Sequence, residues 1–132
     1  HIPISHSHNL LAVIVDKTGE TGIDIERIRP KIVRIKEKFI NEEERKFLNI
    51  NNIEEHLTVL WCAKESLYKL YGTKQLDFKK NLLIEPFDFS GNGKITGRIK
   101  TESMNKLYTL HYEKINSDNN NYILVYVINR HG

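Results

Sequence analysis

Across residues 52–72 apolar side chains return at helical spacing, at Leu57, Leu60, Trp61, Leu67, Tyr68 and Tyr71. This predicts one amphipathic helix, the longest element of the chain, with a single side to bury. Asn51 and Asn52 can cap its start, and Gly72 can end it in a left-handed turn. The chain beyond Gly72 supplies a surface to cover. Residues 82–89, 94–100, 107–112 and 122–129 alternate or run apolar, separated by Ser90-Gly91-Asn92-Gly93, residues 101–106 and the polar tract 116–121. These read as antiparallel strands.

The chain before the helix adds a hairpin and two short helices. Residues 10–16 (LLAVIVD) form a β-branched apolar run that stops at Lys17-Thr18-Gly19-Glu20, and residues 21–26 then alternate strictly. Pro30 sits where a helix can begin, with Ile32, Ile35 and Phe39 after it. Asn41 with Glu44 three residues on has the form of a capping box. Strands, then helices, then strands predict an α+β fold: an antiparallel sheet packed against one long helix plus short helices, in a single domain over residues 1–132.

Composition bounds the class. Ile, Leu, Val and Phe make up about 31% of the chain, which is enough for a core and excludes general disorder. Twenty Lys and Arg against seventeen Asp and Glu leave a net charge of +3, too small for bulk attraction to nucleic acid or lipid to be the leading idea. The single Cys62 permits no internal disulfide, and no Cys/His cluster points to zinc, which fits a cytoplasmic setting. No apolar run approaches a membrane span, and residues 1–16 lack the basic start and cleavage site expected of a signal peptide. It starts at His1 rather than Met, and its first residues read as the middle of a folded segment. A processed protein or a fragment is therefore expected.

Four clusters could carry chemistry. In Gly22-Ile23-Asp24-Ile25-Glu26 the period of two sends Asp24 and Glu26 to one face of a strand. Two adjacent carboxylates repel unless one is protonated or a hard divalent cation such as Mg²⁺ joins them; the alternative is a hairpin with its polar face in water. In the long helix, Trp61, Lys64, Glu65, Tyr68 and Lys69 share one broad side. The alternative there is a surface Glu65–Lys69 pair contributing about 0.3–0.5 kcal/mol, with the two rings in the core. Ser5-His6-Ser7-His8 could grip a phosphate or form an ordinary turn. Arg27, Arg29, Lys31, Arg34, Lys36 and Lys38 are either a solvated face or a docking surface for an acidic partner.

Taken together, Ser5-His6-Ser7, then Gly22/Asp24/Glu26, then Trp61/Lys64/Glu65/Lys69 resemble the 4′-phosphopantetheinyl transferases. The order of motifs is similar to the surfactin-synthetase-activating, two-lobed type, and the match is to the second lobe. The resemblance implies that Asp24, Glu26 and Glu65 hold Mg²⁺, which also meets the pyrophosphate of coenzyme A, and that Ser5 and His6 contact the nucleotide's phosphates. It implies that Glu65, directly or through a metal-bound water, takes the proton from a carrier-protein serine. Lys69, with Lys64 at the substrate, would stabilise charge on the phosphates. Glu44 lies where some members have a glutamate proposed to assist the base, but its capping spacing from Asn41 accounts for it. The implied partners are coenzyme A and an acyl or peptidyl carrier protein, with neither nucleic acid nor membrane.

Two other functions use the same residues. One is an isolated lobe that binds carrier protein or coenzyme A without turnover. The other is a metal-dependent phosphate-ester hydrolase. Absence of a first lobe would bare apolar surface, so self-association into a homo-oligomer is expected.

Overall fold

The computed structural model describes residues 20–72 and 75–129. Strand β1 (Glu20–Arg27) leads into a short helix α1 (Lys31–Ile35), a 3₁₀ turn over Lys36–Lys38 and the single-turn helix α2 (Glu42–Arg45). A second 3₁₀ turn, Ile50–Asn52, runs into the long helix α3 (Ile53–Tyr71). Four strands complete the described residues: β2 (Leu82–Ile84), β3 (Asn92–Lys100), β4 (Asn105–Ser117) and β5 (Asn120–Asn129). With β1 they form one antiparallel five-stranded sheet in the order β1-β5-β4-β3-β2. The expected α+β architecture is what is found. No described helix is long and apolar enough to cross a membrane.

Local chemistry explains most boundaries. Asn41 Oδ1 accepts from Glu44 N at 2.9 Å while Glu44 Oε1 accepts from Asn41 N at 3.0 Å, the reciprocal box that the spacing predicted. Helix α3 ends at Gly72 with φ of +90°, also as expected. Its start differs: Asn49, rather than Asn51 or Asn52, supplies the side-chain cap, by accepting from Asn51 N at 2.9 Å in the 3₁₀ turn. The run 82–89 yields only the three residues of β2, because Pro86 has no N–H to give a ladder. The polar tract is not a loop. Asp118 and Asn119 take φ of 52° and 64°, a two-residue turn that joins β4 to β5 with Ser117 opposite Asn120. Residues 10–16, read as the first strand of the hairpin, lie outside the described residues.

The core lies between α3 and the sheet. Leu57, Leu60 and Leu67 from the helix meet Ile95, Ile99, Leu110, Ile123, Val125 and Val127 from the strands, all buried. At Gly22 the two layers come into backbone contact, since a Cβ there would lie 1.9 Å from Ser66 O. Ser66 Oγ spans the same seam, with Cys62 O at 2.8 Å and Val125 O at 3.2 Å. This approach sets β1 directly beneath the helical turn that carries Glu65 and Lys69.

A buried ion pair ties the short helices to the same layer. Lys64 is 0% exposed, and its ammonium donates to Phe39 O at 2.6 Å, Glu44 Oε1 at 2.7 Å and Phe78 O at 2.7 Å. Glu44 Oε2 in turn accepts from Ile84 N at 2.8 Å. One lysine and one glutamate thus join α2, α3, the segment at Phe78 and β2. Removing one partner strands the other charge in the interior, which costs about 3–5 kcal/mol. Lys64→Met is therefore expected to lower the unfolding free energy by about that amount in urea titrations. Lys114→Met, at a partly exposed ion pair with Glu55, should cost less than about 1 kcal/mol.

Candidate functional site

Asp24 and Glu26 project from β1 toward α3, and Glu65 and Lys69 come down from the helix to meet them. The period of two chooses the face, and the strand register holds it, with Asp24 opposite Val125 and Glu26 opposite Ile123. The polar face of this strand is therefore under the helix rather than in water. Asp24 is only 7% exposed. Its Oδ1 accepts from Lys69 Nζ at 2.8 Å, and the same ammonium reaches Ile23 O at 3.1 Å. The expected alternative of a surface Glu65–Lys69 pair gives way to this longer-range contact.

Electrostatics mark the cluster as strained in its present charge state. Burial, then the charge of Asp24 and a hydrogen bond with it, push Glu26 up to about 7, and the Trp61 side chain opposes this by donating to Glu26. Burial and the Asp24 charge also raise Glu65, against the pull of Lys69. Asp24 Oδ2 is buried without a hydrogen-bond partner. Glu26 can satisfy it only by carrying a proton, because two ionised carboxylates are acceptors alone. A shared proton or a hard cation are the two ways to settle such a pair.

The donor set suits Mg²⁺: oxygen ligands, an orphaned buried oxygen and mutual repulsion that a divalent charge would relieve. Among the described residues, however, no three such side chains close around one point as a coordination shell. Lys69 stands at one Asp24 oxygen instead. The three acids are neighbours in one electrostatic cluster, with Lys69 as counter-charge.

Lys64 is a correction. Its place in the motif suggested a substrate phosphate, but all three of its donors are spent inside the protein on Phe39, Glu44 and Phe78. Burial pulls its pKa down while Glu44 opposes. It is a packing and positioning residue. Ser5 and His6 lie outside the described residues.

Two cavities flank the cluster and share the Trp61 indole as a wall. One of about 320 Å³ is lined by Glu26, Arg27, Arg29, Lys31 and Ile32. The other, about 490 Å³, is lined by Lys38, Glu65, Tyr68, Phe78 and Lys79. Sequence reasoning missed Phe78. An isolated aromatic in the polar stretch Asp77-Phe78-Lys79 was the one signal for it.

A family model described as the 4′-phosphopantetheinyl transferase superfamily matches residues 20–127, most of the chain. No curated protein and no solved structure matches it.

The raised carboxyl makes metal-free stability depend on pH. Glu26 binds its proton more tightly in the folded state, at about 7, than at its ordinary 4.5. Its stabilising share is complete below about 4.5 and is lost as the pH rises through about 7. With the half-exposed position discounted for solvent, the loss should be on the order of 1 kcal/mol. Urea titrations in chelator at pH 5 and pH 8 should show it, and Glu26→Gln should flatten the difference.

Proposed function

The chain belongs to the 4′-phosphopantetheinyl transferase superfamily, and from that premise we propose that it moves the 4′-phosphopantetheine arm of coenzyme A to a serine of an acyl or peptidyl carrier protein. The observation that supports this reading is the meeting of Asp24, Glu26 and Glu65 with Lys69 beside a buried, unpartnered Asp24 oxygen. A diphosphate can approach carboxylates only if their charge is first balanced. Mg²⁺, held by Asp24, Glu26 and Glu65, would supply that balance and bind the diphosphate oxygens of the donor.

The chain's own residues then have distinct tasks. Glu65, which lies on the helix beside the acids of β1, accepts the proton of the serine hydroxyl. The serine oxygen forms a bond to the phosphorus bearing the arm, and the bond from that phosphorus to the nucleotide's bridging oxygen breaks. The products are holo-carrier protein and adenosine 3′,5′-bisphosphate. Lys69, with half of its side chain exposed, can turn from Asp24 to the phosphates, where charge grows as the leaving group departs. Trp61 lies beside Glu26 and opposes the rise in its pKa. Lys64 and Glu44 fix the helix that presents Glu65. Ser5 and His6 contact the nucleotide phosphates in this reading, and the cations from Arg27 to Lys38 receive an acidic carrier.

The test is mass spectrometry of an apo carrier protein incubated with this protein, coenzyme A and Mg²⁺. The carrier should gain one phosphopantetheine, and chelator should stop the gain. Asp24→Ala and Glu65→Gln should each reduce the rate by about 10²-fold or more. Undiminished transfer by both variants would sink the reading. Carrier binding without mass gain would favour a lobe that only recognises its partner. Phosphate release without carrier would favour hydrolysis.

A further inference from the structure

His56, in the first turn of α3, is fully buried and takes no part in the acidic cluster. Its ring lies between two phenylalanines, with centroids 5.5 Å from Phe47 and 4.6 Å from Phe87. Phe87 continues the contact to Tyr112 on β4 at 5.7 Å. The connection between α2 and α3, the helix itself and the segment after β2 thus meet at one imidazole. A polar tie joins them as well. Asn49 N donates to His56 Nδ1 at 3.3 Å, so Nδ1 is unprotonated and the ring hydrogen is on Nε2. Nε2 is buried outside the protein's own hydrogen-bond network.

A proton added to this ring breaks the arrangement in two ways. Nδ1 turns from acceptor to donor and then faces the Asn49 N–H, donor against donor. The new charge must also sit among buried rings. Burial accordingly pulls the His56 pKa below its ordinary 6.5, against the Phe87 backbone and the charge of Asp88. The other ionisable groups nearby are engaged or lie toward water. Lys46, beside Phe47, pairs with Glu43 at 3.2 Å, and Glu55 on the helix pairs with Lys114 of β4 at 3.5 Å. Glu54 is partly exposed, Glu85 and Asp88 are exposed, and Tyr112 Oη accepts from Ser90 N at 3.0 Å.

We propose that His56 is an acid-released latch: the neutral imidazole holds residues 47–52 against α3 and the segment at Phe87, and a proton on the ring sets that connection free. The latch is independent of the transfer reading. Ile50, on the held segment, is 84% exposed, so burial adds little hold at its tip. Glu44 on α2 separately bonds Lys64 and Ile84 N of β2. Release therefore opens the outer tie while this interior pair keeps α3 in place. The share of stability from the neutral ring is complete above about 6.5 and is lost as the pH falls below it, the reverse of Glu26.

Nuclear magnetic resonance on the full chain reads both halves of the latch. Ring nitrogen shifts report the protonation of His56, and amide hydrogen exchange, corrected for its intrinsic rate, reports the hold on Asn49. Below about pH 6.5 the protection of the Asn49 amide should fall by up to about tenfold per pH unit, levelling off where His56 itself titrates. The amides of Leu60 and Val125 should change by less than about twofold over the same range. His56→Phe keeps a ring between Phe47 and Phe87 without the acceptor, so Asn49 should be weakly protected at every pH. His56→Asn offers an acceptor that does not titrate and should restore part of the protection at both ends of the range. Asn49 protection that is constant with pH would overturn the proposal, as would an equal fall at Leu60 and Val125, or the same pH dependence in His56→Phe. Should a variant fail to fold, the titration of the unsubstituted protein decides alone.

Discussion

The approach of the helix backbone to β1 at Gly22 governs the rest of the molecule. No side chain larger than hydrogen fits there, because Ser66 O occupies the space where a Cβ would be. The close seam brings the strand's acidic face within reach of Glu65 and Lys69, and Ser66 locks it with bonds to both layers. Gly22 is therefore part of the site without offering any functional group. Its role is to let two backbones carry four charged side chains into one small volume.

The same helix carries two lysines with opposite fates. Lys64 points inward and is fully engaged with two carbonyls and Glu44, so it fixes structure. Lys69, just over one turn later, lies at the edge of the sheet with half of its side chain exposed and balances Asp24. Burial decides the difference. A charge with every donor satisfied in the interior has little freedom to follow a reaction, whereas one at a wet boundary can exchange partners. The acids divide similarly: Glu44 is spent on the fold, while one Asp24 oxygen is buried outside the fold's own hydrogen-bond network.

Much of the architecture was legible because it rests on local rules. The Asn41/Glu44 box, the Gly72 terminus and the strand runs after it arise from capping, backbone freedom and side-chain period. The tight turn at Asp118 and Asn119 was hidden in a run of asparagines that looks like a loop. The shortening of β2 at Pro86 was readable in principle, since proline cannot continue a ladder, but the apolar residues beyond it obscured the stop.

Sequence alone determined which residue types share a strand or helix face: Asp24 with Glu26, and Trp61 with Glu65 and Lys69, because pleat and helical pitch are properties of the backbone. It also pointed to the superfamily, through the order and spacing of three motifs. Only the tertiary structure decided that Lys64 is buried on Glu44, that Lys69 pairs with Asp24 rather than Glu65, and that Phe78 completes an aromatic wall beside Glu65. Those outcomes depend on which elements meet across the interior. Contacts between residues far apart in the chain are set by packing and desolvation of the whole fold, which no local period encodes.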